Sequence, residues 1–301
     1  MLRMIARNWI AAFAVPVLAS GPLFGHAAEH GERADTNERA EEVDTQFIFG
    51  FTMGADVGEV GEKEIESETV GRLGKKDGSY AALESQLRAE FTPNQRVRFE
   101  VGVPFAYHGI SGVTGLDDLR RGAFNGVDFE LRYRLFDRAS APFALTLGVE
   151  PHWARVDDRS GEPVANYGNE FSLAADKELI KDRVFAAINL LYDPEATLSR
   201  LTGMWEHQSL FGLTTAITNQ VRPGTFLGAE MRYLRAYDGL ALDALAGDAL
   251  FVGPTFYVGL SKQFAVSGSW TFQVAGHTIP GPLDLKNFER HQAKLRLMYT
   301  F

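Results

Sequence analysis

Two arrangements of side chains in this sequence could do chemistry. His207-Gln208-Ser209 sets an imidazole and a hydroxyl two residues apart, which places both on one face of an extended strand. There a base could activate an oxygen nucleophile. Glu62, Glu64, Glu66 and Glu68 alternate, with Glu59 nearby, and carboxylates at period two could gather Ca²⁺ or another hard cation. Neither arrangement is complete. Asn219 falls too far along the chain to orient His207, and the acidic run equally suits a solvated loop that discourages edge pairing. His30, His108, His152, His277 and His291 show no ligand spacing, and Gly109-Ile110-Ser111-Gly112 lacks the Lys and helix of a phosphate loop. The chain has no Cys, which removes thiol nucleophiles and Cys-based zinc sites. No catalytic site, metal or cofactor is expected.

A different chemistry lies in charges spaced two residues apart, and strands must position them. Glu84, Gln86, Arg88 and Glu90 alternate with Leu83, Leu87, Ala89 and Phe91. After the turn types Thr92-Pro93-Asn94-Gln95, Arg96, Arg98 and Glu100 alternate with Val97, Phe99, Val101, Val103 and Phe105. Asp128, Glu130, Arg132 and Arg134 alternate in the same way with Val127, Phe129, Leu131, Tyr133 and Leu135. Period two with one apolar face marks a half-buried strand. The pattern predicts a first strand carrying Phe47, Phe49, Phe51 and Met53, and softer strands at 142–153, 166–177, 183–193, 204–218, 225–236, 249–261, 264–275 and 288–301. Pro104, Pro151 and Pro254 fall inside strands, where bulges or lapses in the ladder are expected. Tyr80, Tyr107, Trp153, Tyr192, Trp205, Tyr237, Tyr133, Trp270, Tyr299 and Phe301 gather towards strand ends, as aromatic girdles do.

The two ends add direction. Arg3 and Arg7, a short apolar run from Trp9 to Ala19 and small residues at Gly25-His26-Ala27-Ala28 read as a secretory signal over 1–28. Residues 29–44 hold seven acids against two bases and too little apolar area to fold, so a disordered acidic leader is expected. Ala293, Leu295, Leu297, Tyr299 and Phe301 alternate with Gln292, Lys294, Arg296, Met298 and Thr300 up to a terminal aromatic. That ending resembles the C-terminal assembly signal of bacterial outer-membrane β-barrels, with Leu295, Leu297, Tyr299 and Phe301 as its positions. The resemblance implies outer-membrane lipid and the barrel-assembly machinery as partners. Mean hydropathy of -0.13 and net charge of -9 over 301 residues fit apolar and polar residues sharing strands. They argue against a helical membrane bundle and against a nucleic-acid binder.

The fold class expected is all-β: a closed antiparallel transmembrane β-barrel of about 12 strands, spanning 45–301 after a cleaved signal peptide. The predicted lumen-lining residues are Arg88, Arg96, Arg98, Glu100, Asp128, Glu130, Arg132, Arg134, Glu150, Glu170, Glu206, Glu230, Arg232, Arg290, Lys294 and Arg296. Such near-balanced charge suits either a hydrated pore or a bracing network. The hairpin Leu87–Phe105, ending Val103-Pro104-Phe105, is similar to the family of outer-membrane transporters named for phenol-degradation (MetA-pathway) operons. That similarity implies passive passage of small, aromatic or amphipathic solutes across the outer membrane. His207 and Ser209 also resemble the His-x-Ser pair of outer-membrane phospholipases, but Leu210-Phe211 stands where that family has Asn-Gly. A lipid hydrolase, a non-transporting structural barrel and a periplasmic β-rich scaffold are the alternatives.

Overall fold

The computed structural model describes residues 43–277 and 281–301. The expected signal peptide and residues 29–42 of the expected leader lie outside the described residues. The strands are β1 (Lys63–Leu73), β2 (Ser79–Asn94), β3 (Val97–Ser111), β4 (Leu119–Phe124), β5 (Gly126–Phe136), β6 (Ala144–Val156) and β7 (Pro163–Ile180). They continue with β8 (Val184–Ser199), β9 (Trp205–Arg222), β10 (Thr225–Asp238), β11 (Ala244–Gly259), β12 (Phe264–Gly276) and β13 (His291–Thr300). Apart from β4 and β5, sequential neighbours pair antiparallel, and β1 pairs with both β2 and β13, so the sheet closes on itself. Closure satisfies the backbone polar groups that a hydrocarbon layer would leave without partners. Among the described residues no helix is long and apolar enough to cross a membrane.

Thirteen segments make twelve spanning strands, because β4 and β5 lie one after the other against β3. Buried Asn125 sits at the break and repairs it. Its Oδ1 accepts from the amides of Arg155 and Val156, at 3.1 and 2.8 Å, and its Nδ2 donates to Glu84 at 3.0 Å. Opposite the break stands Pro104, whose carbonyl accepts from the Asn125 amide. Pro151, Pro194 and Pro254 follow the same rule. Each keeps its register with one neighbour while pairing with the other lapses beside it, as a residue without an N–H requires.

Alternation sorts the side chains. Phe99, Val101, Phe129, Leu190, Ile217, Phe256 and Leu295 are exposed outward, while Arg98, Glu100, Glu130, Arg132 and Arg296 between them are buried. The spanning strands run from 10 residues in β13 to 18 in β7 and β9, beyond the ~9–11 needed to cross a bilayer. Connections are correspondingly short at both ends: 95–96, 181–183 and 223–224 at the end where β1 begins and β13 finishes (the turn end), and 74–78, 200–204 and 239–243 at the other (the loop end).

The structure corrects three expectations. Residues 47–53 are not a strand; they bend inside the barrel, and the first spanning strand is β1. Glu64, Glu66 and Glu68 are therefore not loop carboxylates but the buried, inward face of β1. Tyr80 and Tyr237 do not join a lipid-facing girdle: both are buried, and the Tyr80 hydroxyl donates to the Arg159 carbonyl. Tyr133, Trp205, Trp270, Tyr299 and Phe301 do face outward.

Replacing Asn125 by Ala leaves the buried Val156 amide without its acceptor. The expected loss is about 2–4 kcal/mol, read as a lower urea midpoint for the refolded barrel, with Thr225→Ala at a turn as the unaffected comparison.

Candidate functional site

The lumen is occupied by the chain's own N-terminal segment. Residues 43–58 enter from the turn end, reach inward and come back before β1 begins, and the return is pinned where the Thr45 amide donates to Asp56 at 2.9 Å. The tip is held by side chains of the wall rather than by a ladder. The amides of Phe51 and Thr52 both donate to Glu230, at 2.8 and 2.9 Å. Asn189 accepts from the Met53 amide and donates to its carbonyl. Asp176 accepts from the Ala55 amide and the Thr45 hydroxyl, both at 2.6 Å, and Arg132 and Thr146 donate to the carbonyls of Gly54 and Ala55. Gly50 has no room for more: a Cβ there would lie 2.5 Å from the Glu230 carboxylate and 2.6 Å from Ser269 Cβ.

Aromatic rings supply the rest of the grip. Phe47 lies under two guanidiniums, with Arg296 at 4.2 Å and Arg98 at 5.4 Å from its centroid. Phe51 lies under Arg232 at 3.8 Å and Lys294 at 5.1 Å. Cations over desolvated rings contribute roughly 2 kcal/mol each at best. Ile48 and Phe49 pack with Phe185 and Phe226 in the largest apolar cluster. The inserted segment is thus both salt-bridge filler and hydrophobic core.

Around it many of the interior charges are matched. Arg98 meets Glu100 at 3.1 Å, and also Glu64 and Glu90. Arg296 meets Glu66 at 3.0 Å and Glu68, which Lys294 also reaches at 2.9 Å. Arg88 draws Glu150 to 2.8 Å, with Glu100 and Asp128 each at 3.6 Å. At the turn end Arg138 bridges Asp56 and Asp176, and Arg134 lies 3.5 Å from Asp56. At the loop end the hydroxyl and amide of Thr114 donate to Asp77, at 2.6 and 2.9 Å, and hold its carboxyl below the usual carboxylate range.

Of the residues expected in the lumen, Arg88, Arg98, Glu100, Asp128, Glu130, Arg132, Glu150, Glu170, Glu230, Arg232, Lys294 and Arg296 project from interior-facing positions and are buried or half-buried. Arg134 is half-buried at the turn end. Arg96, Glu206 and Arg290 lie exposed at the rims instead, because period two sets the face of a strand but not the height along the barrel. Sequence reasoning missed β1, Asn189, and the pair Asp193 and Glu195, which flank Pro194 where the predicted strand 183–193 ends. Those last two meet His152: the three ligand atoms lie within 4.8 Å of one another, with His152 Nε2 3.3 Å from Glu195. Imidazole and two carboxylates are a donor set that could hold a divalent ion, against the expectation of no metal position. The set Glu64, Glu66 and Glu90 is filled by arginines. His207 is exposed, whereas the buried Ser209 hydroxyl donates to the Gly239 carbonyl at 2.9 Å, so the nucleophile of the hydrolase alternative is already engaged elsewhere.

Glu230 and Asp176 together accept from five backbone amides or hydroxyls of the inserted segment. Chymotrypsin acting on the folded barrel is expected to spare Phe47, Phe49 and Phe51 in the native chain and to cut there in Glu230→Ala/Asp176→Asn, as mass spectrometry of the fragments will show.

The barrel's form is shared with solved structures. The COG4313 outer membrane channel from Pseudomonas putida F1 superposes with a TM-score of 0.62 at 15% identity, covering 82% of this chain and 98% of that one. The NanC porin gives 0.48 at 10% identity, over 78% and 98% of the two chains, and the KdgM porin 0.47 at 11%, over 79% and 99%. The fold is that of a bacterial outer-membrane β-barrel. No curated protein matches the sequence. The matched family model assigns no activity, and its description is "Family of unknown function". It spans residues 41–301, and the chain belongs to that family, DUF6662.

Proposed function

We propose that this chain is an outer-membrane channel for passive passage of small, aromatic or amphipathic solutes, closed at rest by residues 43–58. The observation that carries the reading is the way the lumen is filled. The occupant is joined to the wall mainly by side-chain hydrogen bonds, ion pairs and cation–π contacts, each of which can be exchanged for water, beside one apolar contact of Ile48 and Phe49 with Phe185 and Phe226. A lumen closed by strands or a continuous apolar core would offer no such exchange. Beneath the segment the wall is polar on β1, β3, β5, β10 and β13, so displacement exposes a hydrated, charged bore. At twelve strands that bore is wider than an eight-stranded barrel filled by its own side chains and narrower than a 16–18-stranded porin, which limits it to small solutes. The similarity of the outer-membrane channel from Pseudomonas putida F1 supports the same reading.

Two measurements test it. In planar bilayers the refolded full-length barrel is expected to show small, stepwise conductance, and a chain lacking residues 43–58 steps several-fold larger. Equal steps in both would contradict closure by the segment, and the absence of steps in both would contradict a channel. Deleting Phe301 is expected to abolish insertion in cells while leaving export intact, read by membrane fractionation, because the exposed faces of Leu295, Leu297, Tyr299 and Phe301 form the terminal strand presented to the assembly machinery. Undiminished insertion would remove that role.

A further inference from the structure

The barrel wall is incomplete at the loop end. β4 is hydrogen-bonded to β3 on one side, but on its other side it pairs with no strand, and the sheet order ends on it. Below the Asn125 break, β5 and β6 are joined in register. That register runs through Trp153 and Ala154, and the Arg155 amide still donates to the Asn125 carbonyl. Beyond it β6 ends at Val156 without pairing with β4, and the two segments flank a cavity of about 290 Å³.

The lining of that cavity comes from both faces of the wall. Phe124 packs edge-on against outward-facing Phe105 at 5.9 Å, and Trp153 is in register with outward-facing Tyr167. Arg121 and Ala123, in contrast, are in register with His108 and Ala106, which are buried inside. A cavity lined from outside and inside is a window through the wall.

Its chemistry is specific. Phe124, Trp153, Val156, Pro163 and Val164 make most of it apolar, and Arg121, Arg155 and Arg200 place three guanidiniums around it. Among the described residues no carboxylate lies within 4 Å of any of these arginines, while Arg88, Arg98 and Arg296 of the lumen each meet at least two; Arg155 stands 6.0 Å over the Phe124 ring instead. An apolar cleft with a few converging charged groups is how proteins bind small organic molecules, and this volume sits near the lower limit of such sites (about 300–1,000 Å³). Three cations call for an anion, and planar guanidiniums bind carboxylates through paired hydrogen bonds.

We infer that this window binds a small amphipathic carboxylate, its ring or short apolar body against Phe124 and Trp153 and its carboxylate held by Arg121, Arg155 and Arg200. Bound there, the solute lies beside the lumen at the end opposite the inserted segment. The inference rests on the channel reading for the solute's destination. Its test measures binding alone, so the two fail separately.

Benzoate serves as the probe, titrated by equilibrium dialysis into the refolded, detergent-solubilised full chain, with benzamide as its uncharged counterpart. Saturable binding at one site per chain is expected, with benzamide at least tenfold weaker. Losing one charge-assisted contact is expected to weaken benzoate about tenfold or more in each of Arg121→Gln, Arg155→Gln and Arg200→Gln. Arg222→Gln, at the turn end, is expected to bind as the native chain does. Heat-modifiable migration in gels confirms that each variant is folded. Benzoate that fails to saturate, or that binds the triple arginine variant undiminished, overturns the inference. So does a phosphorylated lipid that copurifies with the native chain, is lost from the triple variant and keeps benzoate out, since the window would then be a lipid headgroup site.

Discussion

Charges placed inside a closed barrel must be neutralised where they stand. A guanidinium or carboxylate taken out of water costs several kcal/mol unless a partner meets it, and a barrel of this size offers little water once filled. The interior of β1, β2, β3 and β13 answers with shared partners, Arg88, Arg98 and Arg296 each meeting two or more acids. The inserted segment is part of the same solution. Its backbone amides complete Glu230 and Asp176, and Asp56 completes Arg138. Phe47 and Phe51 take up the cation faces that no carboxylate covers. Closure and charge balance are therefore one interaction, and release of the segment requires water to replace these partners.

Irregularity in the wall has an equally local cause. Proline has no N–H to donate, so a ladder lapses beside Pro104, Pro151, Pro194 and Pro254, and Asn125 supplies the acceptor that the break at Pro104 removes. The lapse beside Pro194 lies where Asp193 and Glu195 approach His152. The break at Asn125 opens the window between β4 and β6. Departures from regular pairing thus coincide with the polar features that regular pairing would have buried or spread apart.

Much of the fold was legible in the residues. The alternation from Ala293 to Phe301, and those about Phe99 and Phe129, needed no tertiary information, because one face meets lipid and the other does not. β1 was hidden because its outward face is Ile65, Ser67, Thr69 and Gly71, too weakly apolar to contrast with its acids. The segment 47–53 was misread for the opposite reason. Its phenylalanines alternate, yet they are enclosed by the barrel and obey no lipid boundary. Arg96, Glu206 and Arg290 carry the right parity at the wrong height. Glu195 lay behind Pro194, which reads as a strand terminator on propensity alone, so its pairing with Asp193 across the proline was hidden. The cluster of His152 with Asp193 and Glu195 and the window each combine residues from separate strands, and no spacing along the chain encodes them.

The central claim is that residues 43–58 are anchored within the charged lumen, and hydrogen exchange on the refolded barrel tests it most directly. The amides of Phe51, Thr52, Met53 and Ala55 each donate to an interior side chain, so a peptide spanning them should exchange orders of magnitude more slowly than the same residues in the urea-unfolded chain. Exchange at the unfolded rate, with the strands still protected, would contradict the account.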